Sequence, residues 1–250
     1  MIAIIDYGMG NLRSVEQAMR HVAPDVEVVV TDDAQVIAQA ERVVFPGQGA
    51  MPDCMRELTA RGLRDAVIDA AHTKPFLGIC IGLQMLFEHS AEGDVAGLGL
   101  FKGEVLRFPH PLTDAQGNKL KVPHMGWNQV HQVQLPSPAG RGAGGEGSVL
   151  SDATSHPHPN PLPKGEGMSA LVGEVRHPLW NGIEQDARFY YVHSYYVAPQ
   201  NADLVQATSD YPQPFVCAVA QNNLFAVQFH PEKSHVAGLK LLQNFVRWNP

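Results

Sequence analysis

The stretch FLGICIGLQ, residues 76–84, decides the fold and points to the chemistry. Its first four residues form a compact apolar run typical of a buried strand, and Leu83–Phe87 has the character of the start of a helix. Between them lies Gly78-x-Cys80-x-Gly82, a nucleophile-elbow pattern with cysteine in place of serine. Glycines flank such a nucleophile because its backbone is strained and neighbouring chain packs closely against it. The segment predicts a strand–turn–helix unit with a candidate nucleophile at its apex.

This motif alone leaves two interpretations of Cys80 open. A helix N-terminus below the sulfur favours the thiolate, and the amide of Ile81 can point at a developing oxyanion. Cysteine is also one of the residue types most often buried simply as a small apolar side chain. A neighbouring base would distinguish a nucleophile from a packing residue.

A candidate base occurs in VQFHPE, residues 227–232. A β-rich run delivers His230 at its end, and Glu232 follows after a stiffening proline, so the carboxylate can orient the imidazole. A solvated turn would have the same sequence, so His-Pro-Glu is weak evidence by itself. Combined with Cys80 it supplies a nucleophile, a base and an orienting acid, all at strand ends where α/β folds place active sites.

The rest of the first half alternates between strand and helix patterns. Apolar or β-branched runs predict strands, and 3.6-residue spacing predicts helices. The predicted strands are Ile2–Asp6, Val26–Val30 and Arg42–Phe45, and the predicted helices are Leu12–His21 and Leu58–Ala71. This alternation favours a mostly parallel central sheet flanked by helices.

The second half is richer in strand patterns. The runs Arg188–Val197, Phe215–Ala220 and Leu224–Phe229 are followed by a helix pattern at His235–Trp248. Asn222-Asn223 between the last two runs predicts a hairpin. We therefore expect an α/β fold whose parallel sheet gains antiparallel strands late in the chain.

A segment at about 136–169 breaks this pattern. It is dominated by Gly, Pro, Ser and His and has few large apolar side chains. Such a composition does not offset the entropy of ordering the chain. The sequence thus predicts one domain over residues 1–250, interrupted by a disordered surface insertion.

Composition and charge limit the classes of partner. The formal charge of −7 provides no basic footprint for nucleic acid or for an acidic membrane surface. No apolar run approaches the roughly 18–20 residues that span a bilayer. Cys54, Cys80 and Cys217 are odd in number and lack C-x-x-C spacing, which favours a reducing cytoplasm and no metal site. We expect no cofactor.

A glycine-rich loop follows the strand pattern at Arg42–Phe45. In a parallel sheet, Gly47-Gln48-Gly49 would lie beside the elbow, where its amides could complete an oxyanion hole. Glycine-rich turns are common, and this one lacks the spacing of a phosphate-binding loop.

The motifs together resemble the class I (triad) glutamine amidotransferases. Gly78–Gln84 and Phe229–Glu232 carry that resemblance. Asp6–Asn11, Pro123–Asn128 and Tyr191–Tyr195 are similar to the glutaminase subunits of imidazole glycerol phosphate synthase. Outside the insertion, the resemblance covers essentially the whole chain. It implies a flavodoxin-like fold and a role in histidine biosynthesis.

The resemblance also implies a reaction and a partner. Cys80 would attack the side-chain amide of glutamine, His230 would move protons, and Glu232 would orient it. Ammonia would pass to a separate (β/α)₈-barrel cyclase in a heterodimer, and the cyclase would make imidazole glycerol phosphate and aminoimidazole carboxamide ribotide. The residues that bind substrate would be Gln84, His193, Ser194 and Tyr195. The residues that contact the cyclase would be Asn11, Met125, Trp127, Tyr190 and Lys233.

Some alternatives remain at this stage. Another triad glutaminase, such as the pyridoxal-phosphate synthase subunit, would not share Asp6–Asn11 or Pro123–Asn128. A non-catalytic binding module would have no reason to retain all three triad residues. Without the resemblance, Trp127 and Tyr190 would be read as core residues. Gln48 stands where the family often has a small apolar side chain.

Overall fold

The computed structural model describes residues 1–133 and 176–250. The insertion predicted at 136–169 lies outside these residues, and the assignment of residues 1–250 to one domain stays a prediction. The strands are β1 Ile2–Ile5, β2 Val28–Thr31, β3 Arg42–Gly47, β4 Phe76–Cys80, β5 Phe87–Ser90, β6 Val95–Ala96, β7 Phe101–Arg107, β8 Leu112–Thr113, β9 Lys119–Leu120, β10 His124–Gln129, β11 His131–Gln132, β12 Arg188–His193, β13 Tyr195–Pro199, β14 Val205–Asp210, β15 Pro214–Gln221 and β16 Leu224–Val227. The helices are α1 Leu12–Val22, α2 Ala34–Gln39, α3 Met51–Ala60, α4 Arg64–Thr73, α5 Ile81–Gln84 and α6 His235–Arg247.

The predicted parallel sheet is present. Its strands run in the order β2-β1-β3-β4-β16, and each neighbouring pair is parallel. Every residue of β1, β4 and β16 is buried, as expected for strands covered on both faces. The carboxyl ends of β3, β4 and β16 therefore lie side by side, which is where the sequence placed the candidate site.

Antiparallel strands extend the sheet, as predicted. Beyond β16 the order continues β15-β13-β7, all antiparallel pairs, and Asn222-Asn223 forms the turn between β15 and β16. The single run predicted at Arg188–Val197 is wrong, because the chain leaves one sheet at Ser194 and enters another. Strand β12 pairs with β10 in a separate two-stranded ribbon, whereas β13 joins the main sheet.

Two helix predictions also need correction. The helix predicted at Leu58–Ala71 is two helices, because α3 ends in a turn at Gly62, whose φ is +69°. Leu63 N–H donates to Leu58 C=O there, the bond of a Schellman C-cap. The helix predicted at Leu83–Phe87 is a single turn, α5, after which the chain enters β5 at Phe87. No helix in the described part of the chain is long and apolar enough to cross a bilayer.

Candidate active site

Cys80 occupies a strained turn between β4 and α5. Its φ and ψ are 57° and −110°, a conformation that non-glycine residues rarely adopt. The flanking glycines are required by packing: a Cβ on Gly82 would overlap the carbonyl oxygen of Phe45, and a Cβ on Gly78 would lie 2.9 Å from that of Ala226. The elbow predicted from the sequence is therefore present, and the side chain at its apex is 3% exposed.

His230 and Glu232 form a buried pair just after β16. His230 Nδ1 lies 2.8 Å from Glu232 Oε1, and both side chains are 2% exposed. A carboxylate only accepts, so Nδ1 carries a proton and Nε2 is left for chemistry. Strand β12 fixes the backbone at this point, because His230 N–H donates to Tyr190 C=O at 2.9 Å.

The charge state of His230 depends on its neighbours. Burial lowers the pKa of His230, but the nearby sulfur of Cys80 and the carboxylate of Glu232 raise it overall to about 10. The sulfur of Cys80 therefore lies beside the His230 ring. The arrangement favours a protonated imidazole next to the nucleophile.

A cavity of about 310 Å³ opens onto Cys80. Most of the residues that the sequence analysis assigned to substrate lie on its wall. The lining comprises Gln48, Gly49, Cys80, Ile81, Gln84, Glu92, Pro123, Val192, His193, Ser194 and Tyr195. Gly47 is not part of this lining, but it pairs in register with Cys80. The tertiary structure thus gathers these residues from both halves of the chain around one sulfur.

The loop after β3 presents backbone amides at the cavity. Among the described residues, neither the Gln48 nor the Gly49 N–H donates a hydrogen bond to a backbone acceptor outside regular elements. Gly49 has a φ of +118°, which a residue with a side chain rarely adopts. Behind the loop, the buried thiol of Cys54 donates to Gln48 C=O at 3.6 Å. Burial raises the pKa of Cys54 to about 11, so it remains a thiol donor.

Two buried histidines support the opposite wall. His193 Nδ1 donates to Tyr195 C=O at 2.8 Å, so its Nε2 accepts from His124 Nδ1 at 3.1 Å. Asn128 extends this series of hydrogen bonds, because its Nδ2 lies 3.3 Å from His124 Nε2. Burial lowers the pKa of His193 to about 3 and that of His124 to about 4. Both rings are therefore neutral, and their hydrogen bonds fix the tautomers.

The residues assigned to a partner do not join this cavity. Met125 and Trp127 are 62% and 41% exposed on the outer face of the β10–β12 ribbon. The Trp127 ring stacks on His235 with a centroid distance of 5.1 Å and meets the edge of Tyr190 at 6.0 Å. The alternative of core packing for Trp127 is therefore wrong. The other two partner residues lie in loops: Asn11 is exposed before α1, and Lys233 is partly buried after Glu232.

Sequence reasoning missed two groups near Cys80. Gln228 is fully buried, and its Nε2 donates to Cys80 Sγ at 3.8 Å. Glu92 is the one carboxylate on the described cavity wall. Gln228 stands just past the end of β16 and two residues before His230, a position that could have drawn attention to it. Nothing in the sequence around Glu92 distinguishes it from a surface residue.

Comparison with known proteins agrees with this geometry. Residues 3–248 match the family model described as "Glutamine amidotransferase class-I". The chain is 56% identical to the "Imidazole glycerol phosphate synthase subunit HisH" of Thiobacillus denitrificans, over 100% of this chain and 92% of that protein. It is 47% identical to the subunit of the same name from Neisseria meningitidis, over 98% and 99% of the two chains.

Solved structures share the fold at low sequence identity. A crystal structure described as glutamine amidotransferase superposes with a TM-score of 0.62 at 13% identity, covering 99% of this chain and 98% of that one. The glutaminase domain of Trypanosoma brucei CTPS gives a TM-score of 0.53 at 13% identity, covering 100% and 94%. With its full-length match to the family model and to close relatives, the chain belongs to the class-I glutamine amidotransferase family.

Proposed function

We propose that this protein hydrolyses glutamine to glutamate and ammonia and passes the ammonia to a cyclase subunit of imidazole glycerol phosphate synthase. One observation carries the chemistry: a strained, buried Cys80 faces the His230–Glu232 pair at the edge of a cavity. The family match and the names of the full-length relatives support the choice of substrate and pathway. The cysteine, imidazole and carboxylate take the three roles of a catalytic triad.

The proposed reaction has two halves. The Cys80 thiolate attacks the side-chain amide carbon of glutamine and forms a tetrahedral oxyanion. Collapse breaks the C–N bond, and the leaving nitrogen takes the proton of His230 Nε2, which releases ammonia and leaves a thioester. Neutral His230 then removes a proton from water, which attacks the thioester to give glutamate and restore the thiolate. Glu232 holds Nδ1 throughout.

The oxyanion is assigned to amides of the two loops beside Cys80. Ile81 N–H begins α5, and its position next to the sulfur suits the developing charge. The Gly47-Gln48-Gly49 loop lies beside it, and the amides of Gln48 and Gly49 make no backbone hydrogen bond outside regular elements in the described chain. Only main-chain atoms are used, so the side chain of Gln48 is not required. One such donor is worth about 10²–10³ in rate.

The amino-acid end of glutamine is assigned to the far wall of the cavity. Gln84 Oε1 is buried without a partner within the described residues, and it can accept from the substrate ammonium. Glu92 supplies a negative charge on the same wall. The His193–Tyr195 segment closes the pocket with neutral imidazole and backbone donors, which avoids repelling the ammonium.

The chemistry of ammonia, the reaction product, requires a partner protein. Ammonia released into neutral water becomes ammonium, which is not nucleophilic, so a protected route to a second site is needed. The proposed docking face comprises the exposed Met125 and Trp127 and the partly buried Tyr190, with Asn11 and Lys233. Exposed aromatic side chains of this kind are typical of interface anchors. We assign the complex to the cytoplasm, since Cys80 must stay reduced and all three cysteines are unpaired.

The test compares the wild-type protein with Cys80→Ala, alone and with a barrel cyclase and its ribulosyl ligand. We expect weak hydrolysis by the wild-type subunit alone, strong stimulation by the cyclase, and no activity in the variant. Cys217→Ala is the matched control, since Cys217 is equally buried but has no partner base. Glutamine hydrolysis that persists in Cys80→Ala would exclude the mechanism. Product made from glutamine but not from equimolar free ammonium tests channelling.

A further inference from the structure

Gln228 lies level with the nucleophile on the neighbouring strand. Strands β16 and β4 are parallel, with Ala226 opposite Gly78 and Val227 opposite Ile79. The next residues along the chain are Gln228, just past the end of β16, and Cys80, the last residue of β4. The amide of Gln228 is completely buried, and its Nε2 is 3.8 Å from Cys80 Sγ.

The hydrogen bonds of Gln84 determine which end of the Gln228 amide faces the sulfur. Gln84 Nε2 donates to Tyr195 C=O at 3.1 Å and to Gln228 Oε1 at 3.0 Å. A backbone carbonyl only accepts, so the nitrogen of Gln84 must be the atom placed there. Its other contact must then be an acceptor, which puts the oxygen of Gln228 toward Gln84. The NH₂ of Gln228 is consequently left to point at Cys80.

Two side chains act on the sulfur of Cys80. Gln228 Nε2 donates to it at 3.8 Å, and His230 lies close enough for the sulfur to raise the pKa of His230. The other titratable groups around this pair are Tyr7, Cys54, Glu92, His193, His230 and Glu232. A donor to an ionised group in a buried site is stronger than one between neutral groups.

We propose that Gln228 is a positioning residue that stabilises the Cys80 thiolate through its side-chain N–H, and that Gln84 locks the orientation of the Gln228 amide. This inference rests on the proposed role of Cys80 as nucleophile. The amide pair also links the cavity wall to the sulfur, because Gln84 lines the cavity while its Nε2 holds Gln228.

The decisive experiment is the pH dependence of Cys80 alkylation by iodoacetamide in the full-length protein. Gln228→Met has similar length but lacks a donor, and Gln228→Glu keeps the acceptor toward Gln84 at the same volume. Gln206→Met is the matched control, since Gln206 is a buried glutamine outside the cavity. Circular dichroism establishes folding, and mass spectrometry of the labelled peptide identifies the modified cysteine.

We expect the alkylation midpoint of Gln228→Met to rise by about one pH unit, so labelling at neutral pH slows about tenfold. The rate at high pH should reach the wild-type plateau, which a merely structural defect would not produce. Gln228→Glu should shift further in the same direction, because its carboxylate also repels the thiolate. Gln228→Leu, which likewise lacks a donor and adds no charge, decides the question should the methionine variant not fold. Glutamine turnover should fall with little change in KM.

Two results would overturn the inference, and they differ from one another. An unchanged midpoint in folded Gln228→Met, with the label still on Cys80, removes the role of Gln228 alone. Label on another cysteine of the wild-type protein, or hydrolysis surviving Cys80→Ala, removes the proposed nucleophile and the inference with it.

Discussion

The elbow at the end of β4 and the β10–β12 ribbon are both built from β-strands, but their side chains are placed differently. At the elbow, every residue from Phe76 to Cys80 is buried, and the apex adopts a positive φ that glycine neighbours make possible. In the ribbon, β10 and β12 alternate between buried and more exposed residues. The inner face carries His124 and His193 toward the cavity wall, whereas the outer face presents Met125 and Trp127.

We therefore assign the reaction to the elbow and partner binding to the outer face of the ribbon. Backbone strain and close packing at the elbow position the sulfur of Cys80, so substitutions there should alter the activity of the isolated subunit. The outer face of the ribbon provides an exposed surface, so substitutions there should alter activity only when a partner is present. Tyr190 connects the ribbon to the triad, since its carbonyl accepts from His230 N–H and its ring meets that of Trp127.

The largest expected effect follows from Glu232→Gln. The carboxylate stabilises the His230 imidazolium and so raises the pKa of His230, which stands at about 10 with the pair intact. Without that charge the imidazolium loses its proton at lower pH, so the alkaline limb of glutamine turnover should move toward neutrality. The turnover number should fall by about 10⁴-fold. Ammonia release measured across a pH series gives both quantities.

Glu57→Gln provides the control for that change, because Glu57 lies on α3 beside Arg56 and away from the cavity. Its pH profile should match that of the wild-type protein. A Glu232→Gln variant with a wild-type rate and an unmoved alkaline limb would contradict the orienting role of the carboxylate.

An intermediate effect, restricted to the complex, is expected for Trp127→Ala. Its ring is half exposed and stacks on His235, so its loss should leave the isolated fold intact. Affinity for the barrel cyclase should weaken by about 10- to 100-fold, as for an aromatic interface anchor. Titration of cyclase-stimulated hydrolysis measures the affinity, and alkylation of Cys80 in the isolated subunit should be unchanged.

Ile68→Ala on α4 is the control for Trp127→Ala, since that helix packs against α2 and β3 rather than the ribbon. It should bind the cyclase with wild-type affinity. Equal weakening by both variants would mean that the effect of Trp127 comes from the fold and not from docking.

The smallest effect is expected for Tyr7→Phe. Its hydroxyl is buried without a hydrogen-bond partner in the described chain and lies against Gly47, at the back of the loop that faces Cys80. Removing it should change the free energy of unfolding by less than about 1 kcal/mol. Turnover should fall by about threefold or less, because the loop amides themselves remain. Urea unfolding and steady-state kinetics measure the two changes.

Tyr191→Phe removes an equally buried, unpartnered hydroxyl from the ribbon and is the matched control. A loss of turnover far larger in Tyr7→Phe than in Tyr191→Phe, at equal stability, would show that the hydroxyl controls the loop. That outcome would place Tyr7 among the residues on which catalysis depends.

The sequence predicted the local units well and their ends less well. The parallel order around β4 follows from apolar runs that alternate with helix patterns, and the structure confirms it. The helix expected at Leu83–Phe87 failed because propensity cannot show that Phe87 pairs with Phe101 in a strand. The break of α3 at Gly62 could have been anticipated, since a glycine with positive φ commonly ends a helix.

The elbow and the His-Pro-Glu segment after β16 could be recognised from the sequence alone. Close packing requires Gly78 and Gly82, and His-Pro-Glu is a run of neighbouring residues. The contact of Gln228 with Cys80, the place of Glu92 on the cavity wall and the exposure of Trp127 depend on the tertiary structure. These properties depend on strand register and on which face of a ribbon meets the core. A one-residue slip in register would reverse them without changing a single motif.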